Sequence, residues 1–148
     1  MARLAIYEAR TFRSRDAIGA LVGLTRKAII EKLELELAPH GLSAAQSIVI
    51  LVLAQGMADT AADACKQLSH DPGAMTRLLD KLETKGLVRR VRGNDRRSAR
   101  LELTPKGRRL YGEINAAQVK VLNGLLRGFT QAEARTLESF LRRMLANA

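Results

Sequence analysis

The chain has 148 residues, enough for one compact domain and too few for two independent cores. Its 3% aromatic content, without tryptophan and beside abundant Ala and aliphatic residues, favours a helix-rich fold over a β-sandwich, and its formal net charge of +10 calls for a polyanionic partner. A single cysteine excludes an intramolecular disulfide, and charges interrupt every apolar run, so neither a leader nor a membrane span is expected and the compartment is read as cytoplasmic.

Residues 1–16 mix Arg with Leu4, Ile6, Tyr7 and Phe12 and are expected to form an arm that packs on a partner subunit. From Ala17 to about Ala38 the spacing predicts a long helix with Ile18, Leu21, Val22, Thr25, Ile29, Leu33 and Leu37 on one stripe. Leu24, Ile30 and Leu35 fall off that stripe, which implies burial on two sides: one against the core, one against a second chain. Pro39-His40-Gly41 ends it. Ser43 with Gln46 spells a capping box for a mostly apolar helix running to about Ala54. Thr60 then caps a short helix over 61–68, which contains Cys65, and Ser69-His70 leads by a tight turn into the next start. Two helices so joined form a helix-turn-helix, whose second member lies in the major groove.

That second helix opens on Asp71-Pro72, a carboxylate that can accept free first-turn amides followed by a residue with no amide proton, and Gly86 stops it. Ala74, Met75, Leu78, Leu79 and Leu82 project to one side; Gly73, Thr76, Arg77, Asp80 and Thr84 project to the other. The free face suits a major groove. A glycine permits close approach, a threonine can meet a thymine methyl or hydrogen-bond, and an arginine can bond twice to one guanine. An ordinary solvated helix face is the competing reading. Leu87 to Arg92 and Ala99 to Leu103 are β-capable, with Val88, Val91, Leu101 and Leu103 as apolar positions, and the polar turn Gly93 to Ser98 joins them into a hairpin with a cationic tip. Thr104-Pro105 repeats the helix-start signal.

From Lys66 to Arg109 there are 13 basic and 5 acidic residues, so 8 of the excess charges lie in this stretch. DNA is one such polyanion; a membrane surface is the rival, but no basic amphipathic helix here ends in the exposed Trp or Phe that membrane binding recruits. The helix begun at Pro105 continues to about Arg127 on Leu110, Ile114, Ala117, Val121, Leu122 and Leu125. Gly128-Phe129 breaks it, and Thr130 with Glu133 caps a last helix carrying Leu137, Phe140, Leu141, Met144 and Leu145. These terminal helices make a poor core for one chain and a good one when paired with residues 1–38 of a symmetric partner.

The stretch DPGAMTRLLDKLETKGLVRR, followed by NDRR and LELTPKG, resembles the winged helix-turn-helix of the MarR family of bacterial transcription regulators. The resemblance follows the whole chain in order and length, with motif-level matches over about 42–111; the wing is about a residue shorter than the family's usual form, with Arg92-Gly93 where a Pro-containing turn often sits. It implies a mainly α fold with a small β-hairpin wing, a DNA-binding lobe at 42–111, and a dimerisation region formed by 1–40 and 112–148. By the same resemblance Gly73, Thr76 and Arg77 meet the major groove, Arg97 enters the minor groove beside Arg96, and Asp95 orients both arginines. Lys81 and Arg92, with Lys85, Arg89 and Arg90, are read as phosphate contacts or plain solvated charge. The family also implies a homodimer on double-stranded DNA with a pseudo-palindromic operator, acting as a repressor. A small aromatic or phenolic effector would lie between the helices at 17–38, 43–54 and 105–127.

Chemistry other than binding finds little support. His40 and His70 sit in turns without a neighbouring nucleophile or acid in a motif, no phosphate-binding glycine loop occurs, and His40, Cys65 and His70 lack metal-ligand spacing, so no catalytic residue, cofactor or metal is expected. Cys65, among Ala61, Ala62 and Ala64, is read as a buried small hydrophobe in preference to an oxidant sensor. Two other functions remain open on sequence: a sequence-independent, nucleoid-type DNA-binding protein, and a basic protein-interaction module.

Overall fold

A computed structural model describes residues 5–93 and 99–148. Among these residues six α-helices and one hairpin follow in the order α1 (Ile18–Leu37), α2 (Ala44–Ala54), α3 (Ala61–Leu68), α4 (Pro72–Thr84), β1 (Val88–Arg92), β2 (Ala99–Leu103), α5 (Pro105–Leu125) and α6 (Gln131–Leu145), with short 3-10 turns at Ser14–Asp16 and Ala38–His40. The helix-rich expectation and its boundaries hold to within about two residues. The anticipated asparagine-to-serine part of the wing, with Asp95, Arg96 and Arg97, lies outside the described residues.

The ends of these helices follow from side-chain chemistry. Ser43 accepts the Gln46 amide at 3.1 Å while Gln46 Oε1 accepts the Ser43 amide at 3.2 Å, the reciprocal cap read from the sequence. Thr130 and Glu133 do the same for α6. α3 carries a third such box, Thr60 with Asp63, which the usual Glu/Gln signature does not cover. Asp71 accepts the amides of Gly73 at 2.9 Å and Ala74 at 3.3 Å, as its place before Pro72 requires. α1 has no side-chain cap of this kind: the hydroxyl of Tyr7, stacked edge-on against Phe12, accepts the Ile18 amide at 3.2 Å. The described part of the N-terminal arm therefore folds back on its own helix.

The core gathers α2, the inner stripe of α4, Ile114, Ala117 and Val121 of α5, and Leu33 and Leu37 at the end of α1. Met75, Leu79 and Leu82 are fully buried, each contributing about 1.5 to 3 kcal/mol by the usual transfer scale, which decides which way α4 faces. Ala74 and Leu78, assigned to the same face, are half-buried at its margin. Val88, Leu101 and Leu103 close the core from the hairpin, whose register pairs Val88 with Leu103 and Val91 with Arg100. Alternation puts Val91 on the opposite face from Val88, and it is exposed.

Two segments stay uncovered. α6 buries none of its residues, with Phe140 53% and Leu145 75% exposed, and Ile18, Leu21, Val22 and Leu24 of α1 are exposed as well. Between them lies an apolar cavity of about 580 Å³ lined by α1, Ile48 of α2, and Leu137, Phe140, Leu141 and Met144 of α6.

Candidate nucleic-acid interface

α3 and α4 meet through a single left-handed residue, Ser69 at φ 51°, and the amide of His70 donates to the Cys65 carbonyl at 3.1 Å. This tight exit sets α4 across α3 with its inner stripe anchored and its outer face in solvent. On that face Gly73, Thr76, Arg77 and Lys81 are all exposed, one after another along the helix. A Cβ at Gly73 would stand 3.1 Å from the capping Asp71 Oδ1 and 3.6 Å from the Arg77 guanidinium. The missing side chain keeps the cap intact and clears the approach to Arg77. Thr76 donates its hydroxyl to the Pro72 carbonyl at 2.9 Å. With its proton occupied by the helix, Thr76 is left to offer a methyl group and an acceptor, and of the two contacts anticipated for it the thymine methyl fits better.

The positive charges divide into two sets. Arg89 pairs with Glu102 across the hairpin at 2.7 Å, and Arg100 stands 3.8 Å from Asp59. Arg90 is held by both Asp80, at 2.9 Å, and Glu83 of α4. Lys85 donates to the Gly41 carbonyl and, at 2.8 Å, to Gln46 Oε1. Arg90 and Lys85 thus have partners within the chain, which corrects the reading of them as plain solvated charge. Among the described residues Arg77, Lys81 and Arg92 have no carboxylate partner, so their charge faces outward.

The hairpin is fastened to this surface at its base. The Leu101 amide donates to the Asp59 carbonyl at 2.8 Å, and an isolated bridge pairs Thr60 with Arg100, so the loop before α3 acts as a third strand. Thr104 donates its hydroxyl to the Gly86 carbonyl at 2.6 Å and accepts the Gly107 amide at 3.1 Å, coupling the exit of α4 to the start of α5. A Cβ on Gly107 would overlap the Leu87 carbonyl oxygen, so the glycine after Thr-Pro-Lys is what lets α5 approach the hairpin. The Thr104 cap on the Gly107 amide is the helix start read from the sequence; its bond to Gly86 and the other two ties join residues that sequence pattern does not connect. The Asp59 and Thr60 pairing is invisible to local sequence pattern, whereas Gly107, in the first turn of a helix where glycine is unfavourable, was a signal left unused.

Cys65 packs against the core but is half-buried, less covered than the buried small hydrophobe read from the sequence. It borders a shallow apolar groove of about 520 Å³ with Ala61, Ala62, Lys66, His70, Pro72 and Thr76. No cluster of three His, Cys, Asp or Glu suited to a metal occurs among the described residues, and no single helix there is long and apolar enough to cross a membrane.

A capped helix-turn-helix followed by an antiparallel hairpin and a return helix defines a winged helix-turn-helix protein. Residues 40–98 match the model of the MarR family. The multiple antibiotic resistance protein MarR of Escherichia coli is 31% identical over 130 residues, 86% of this chain and 90% of that protein. The HTH-type transcriptional regulator TtmR of Methylorubrum extorquens is 37% identical over 102 residues, 68% of this chain and 51% of that one. Among solved structures, a cysteine-to-serine variant of E. coli MarR complexed with operator DNA superposes with a TM-score of 0.78 at 30% identity, covering 86% of this chain and 93% of that one. The chain belongs to the MarR family.

Proposed function

We propose that this chain is a DNA-binding transcription regulator that acts as a homodimer on a pseudo-palindromic site in duplex DNA, represses transcription, and works in the cytoplasm. The observation that carries the reading is the outer face of α4, where Gly73, Thr76, Arg77 and Lys81 stand exposed in a row while Arg89 and Arg90 are engaged in internal pairs. The crystallised operator complex of the E. coli relative supports the same partner. Arg77 and Thr76 read base edges, Gly73 permits the approach, and Lys81 and Arg92 meet phosphates. Asp95, Arg96 and Arg97 keep the wing role that the sequence suggests, with Arg97 in the minor groove.

Residues 42–111 serve as the DNA-binding lobe, and 1–40 with 112–148 as the dimerisation region. The uncovered apolar sides of α1 and α6 support that division, because a second copy would cover them. Regulation by a small aromatic or phenolic effector completes the proposal. A cavity of about 130 Å³ between α1 and α5, lined by Ile29, Leu33, Val121 and Leu122 with Gln118 as its polar group, supports a compact ligand, since it is smaller than the roughly 300 to 1,000 Å³ usual for drug-sized molecules.

A gel-shift titration against random duplex fragments, with recovery and sequencing of bound DNA, tests the function. A regulator discriminates by roughly 10³-fold or more at physiological salt. Equal affinity for all fragments would establish a nucleoid-type protein instead, and no retention of duplex DNA would leave the interaction module.

A further inference from the structure

Lys85 sits at the C-terminal end of α4 and reaches away from the outer face. Its ammonium donates to the Gly41 carbonyl, in the corner between α1 and α2, and to Oε1 of Gln46 in the first turn of α2. Gln46 is 5% exposed, and the same oxygen closes the α2 cap by accepting the Ser43 amide. The corner is gripped from its other side as well, for Glu34 of α1 accepts the Ala44 amide at 2.9 Å. Behind Lys85, its own carbonyl accepts from Lys106 in the first turn of α5 at 3.1 Å. One polar chain thus runs from α1, through the α1–α2 corner, to the end of α4 and on to α5. A flexible surface lysine has no need of two fixed carbonyl acceptors 39 and 44 residues away in sequence.

We propose that Lys85 is a positioning residue that fixes the angle of α4 against the α1–α2 corner and so fixes the separation of the two recognition helices in the dimer. The proposal rests on the dimeric, operator-binding function argued above. α4 is anchored along its middle by Met75, Leu79 and Leu82 and braced by Arg90; the Lys85 tie adds a hold from its C-terminal end to the α1–α2 corner. Half-site spacing is the property that should depend on it. Adding one base pair shifts the second half-site by about 3.4 Å and about a tenth of a turn, so a rigid dimer rejects it and a loosened one accepts it. Base reading by Arg77 within each half-site needs no such tie.

The experiment uses the half-site recovered by the wild-type protein, placed in duplexes whose spacers are shorter or longer by one or two base pairs. Wild type should favour one spacing by about tenfold or more. Lys85→Met should narrow that preference to about threefold or less while keeping the base preference inside each half-site. Gln46→Leu should do the same although it lies far from the outer face, and Gln46→Glu, which can still cap α2 and accept from Lys85, should behave as wild type. Thermal melting identifies any variant that fails to fold; the exposed Lys85→Met carries the test if Gln46→Leu does not. An unchanged spacing preference in Lys85→Met overturns the proposal. So does an even loss at all spacings with the salt slope reduced by about one, the sign of a lost phosphate contact. Failure of the wild type to select any site would instead remove the function on which the proposal stands.

Discussion

Gly107 in the first turn of α5 lies directly under the carbonyl of Leu87, where a single added carbon would overlap that oxygen. The contact joins the exit of α4, the base of the hairpin and the start of α5 at one point, with Thr104 bonded to Gly86 beside it. Replacing a helical glycine by alanine ordinarily stabilises a chain by about 0.5 to 1 kcal/mol. Here the sign should reverse. Gly107→Ala is expected to cost about 1 to 3 kcal/mol in urea unfolding, because backbone and helix must separate. Gly112→Ala, in the same helix with open space around its position, should be neutral or stabilising. Equal effects at the two glycines would show that the close approach is not the constraint.

Arg90 bridges Asp80 and Glu83 from β1 and so braces the hairpin against α4. Arg90 and Glu83 are each about a third exposed and Asp80 more so, which lets solvent screen much of the attraction. Arg90→Met should therefore cost only about 1 kcal/mol, and less as salt rises. A double-mutant cycle with Glu83→Gln should return a coupling of similar size. A coupling indistinguishable from zero at low salt would mean that the brace does not hold.

Most of the backbone was legible because its punctuation is local. Asp71-Pro72, Ser43 to Gln46 and Thr130 to Glu133 each announce a helix start through groups within four residues of one another, and the structure uses all three. The helical period also announced which face of α4 is exposed, with Gly73, Thr76 and Arg77 on it. The pattern did not announce where charge is neutralised across the fold. Arg89, Arg90 and Arg92 stand three residues apart at most, yet the first two are committed to Glu102 and to Asp80 with Glu83, pairings set by strand register and by the angle of β1 to α4. Val91 shows a related limit: an apolar residue in a short strand does not reveal which face carries it. The stripe of α1 was half right, since Leu33 and Leu37 reach the core and Ile18 to Val22 do not.

The α3 cap makes a prediction about pH. Hydrogen bonds from the Thr60 hydroxyl and the Asp59 amide hold the Asp63 carboxyl below its ordinary value of 3.8. A carboxylate favoured in the folded state contributes stability above its unfolded value, and that contribution fades as pH falls through it toward the folded one. Asp63→Asn should therefore be less stable than wild type at neutral pH, with the difference closing as the solution is taken below about pH 4. Paired melting curves across that range check it. A gap that stays constant with pH would mean that the cap works through shape rather than charge.

The exposed α6 stripe should be an interface. Phe140 and Leu141 line the apolar cavity facing α1, and a charge placed there would break that apolar surface, even with Arg26 at its margin and Arg143 over the Phe140 ring. Phe140→Glu is expected to shift the protein from dimer to monomer in sedimentation or light scattering while leaving helix content nearly intact, because α6 buries nothing within its own chain. Operator binding should fall with it, since one half-site alone supports only weak, salt-sensitive contact. A variant that remains dimeric would move the interface away from this stripe.

Arg77 should carry base recognition separately from affinity in general. It is exposed beside Gly73, it has no carboxylate partner among the described residues, and its planar fork can make two hydrogen bonds to one guanine. Arg77→Ala is expected to cost about 1 to 3 kcal/mol on the selected operator and to relax base preference at one position of each half-site. Arg77→Lys keeps the charge and loses the fork, so it should recover nonspecific affinity but not the preference. Lys81→Ala, by contrast, should weaken binding to all sequences alike and lower the salt slope by about one. Competition binding with single-base operator variants separates these outcomes. An Arg77→Ala protein that still selects the same bases would transfer sequence reading from the outer face of α4 to some other part of the surface.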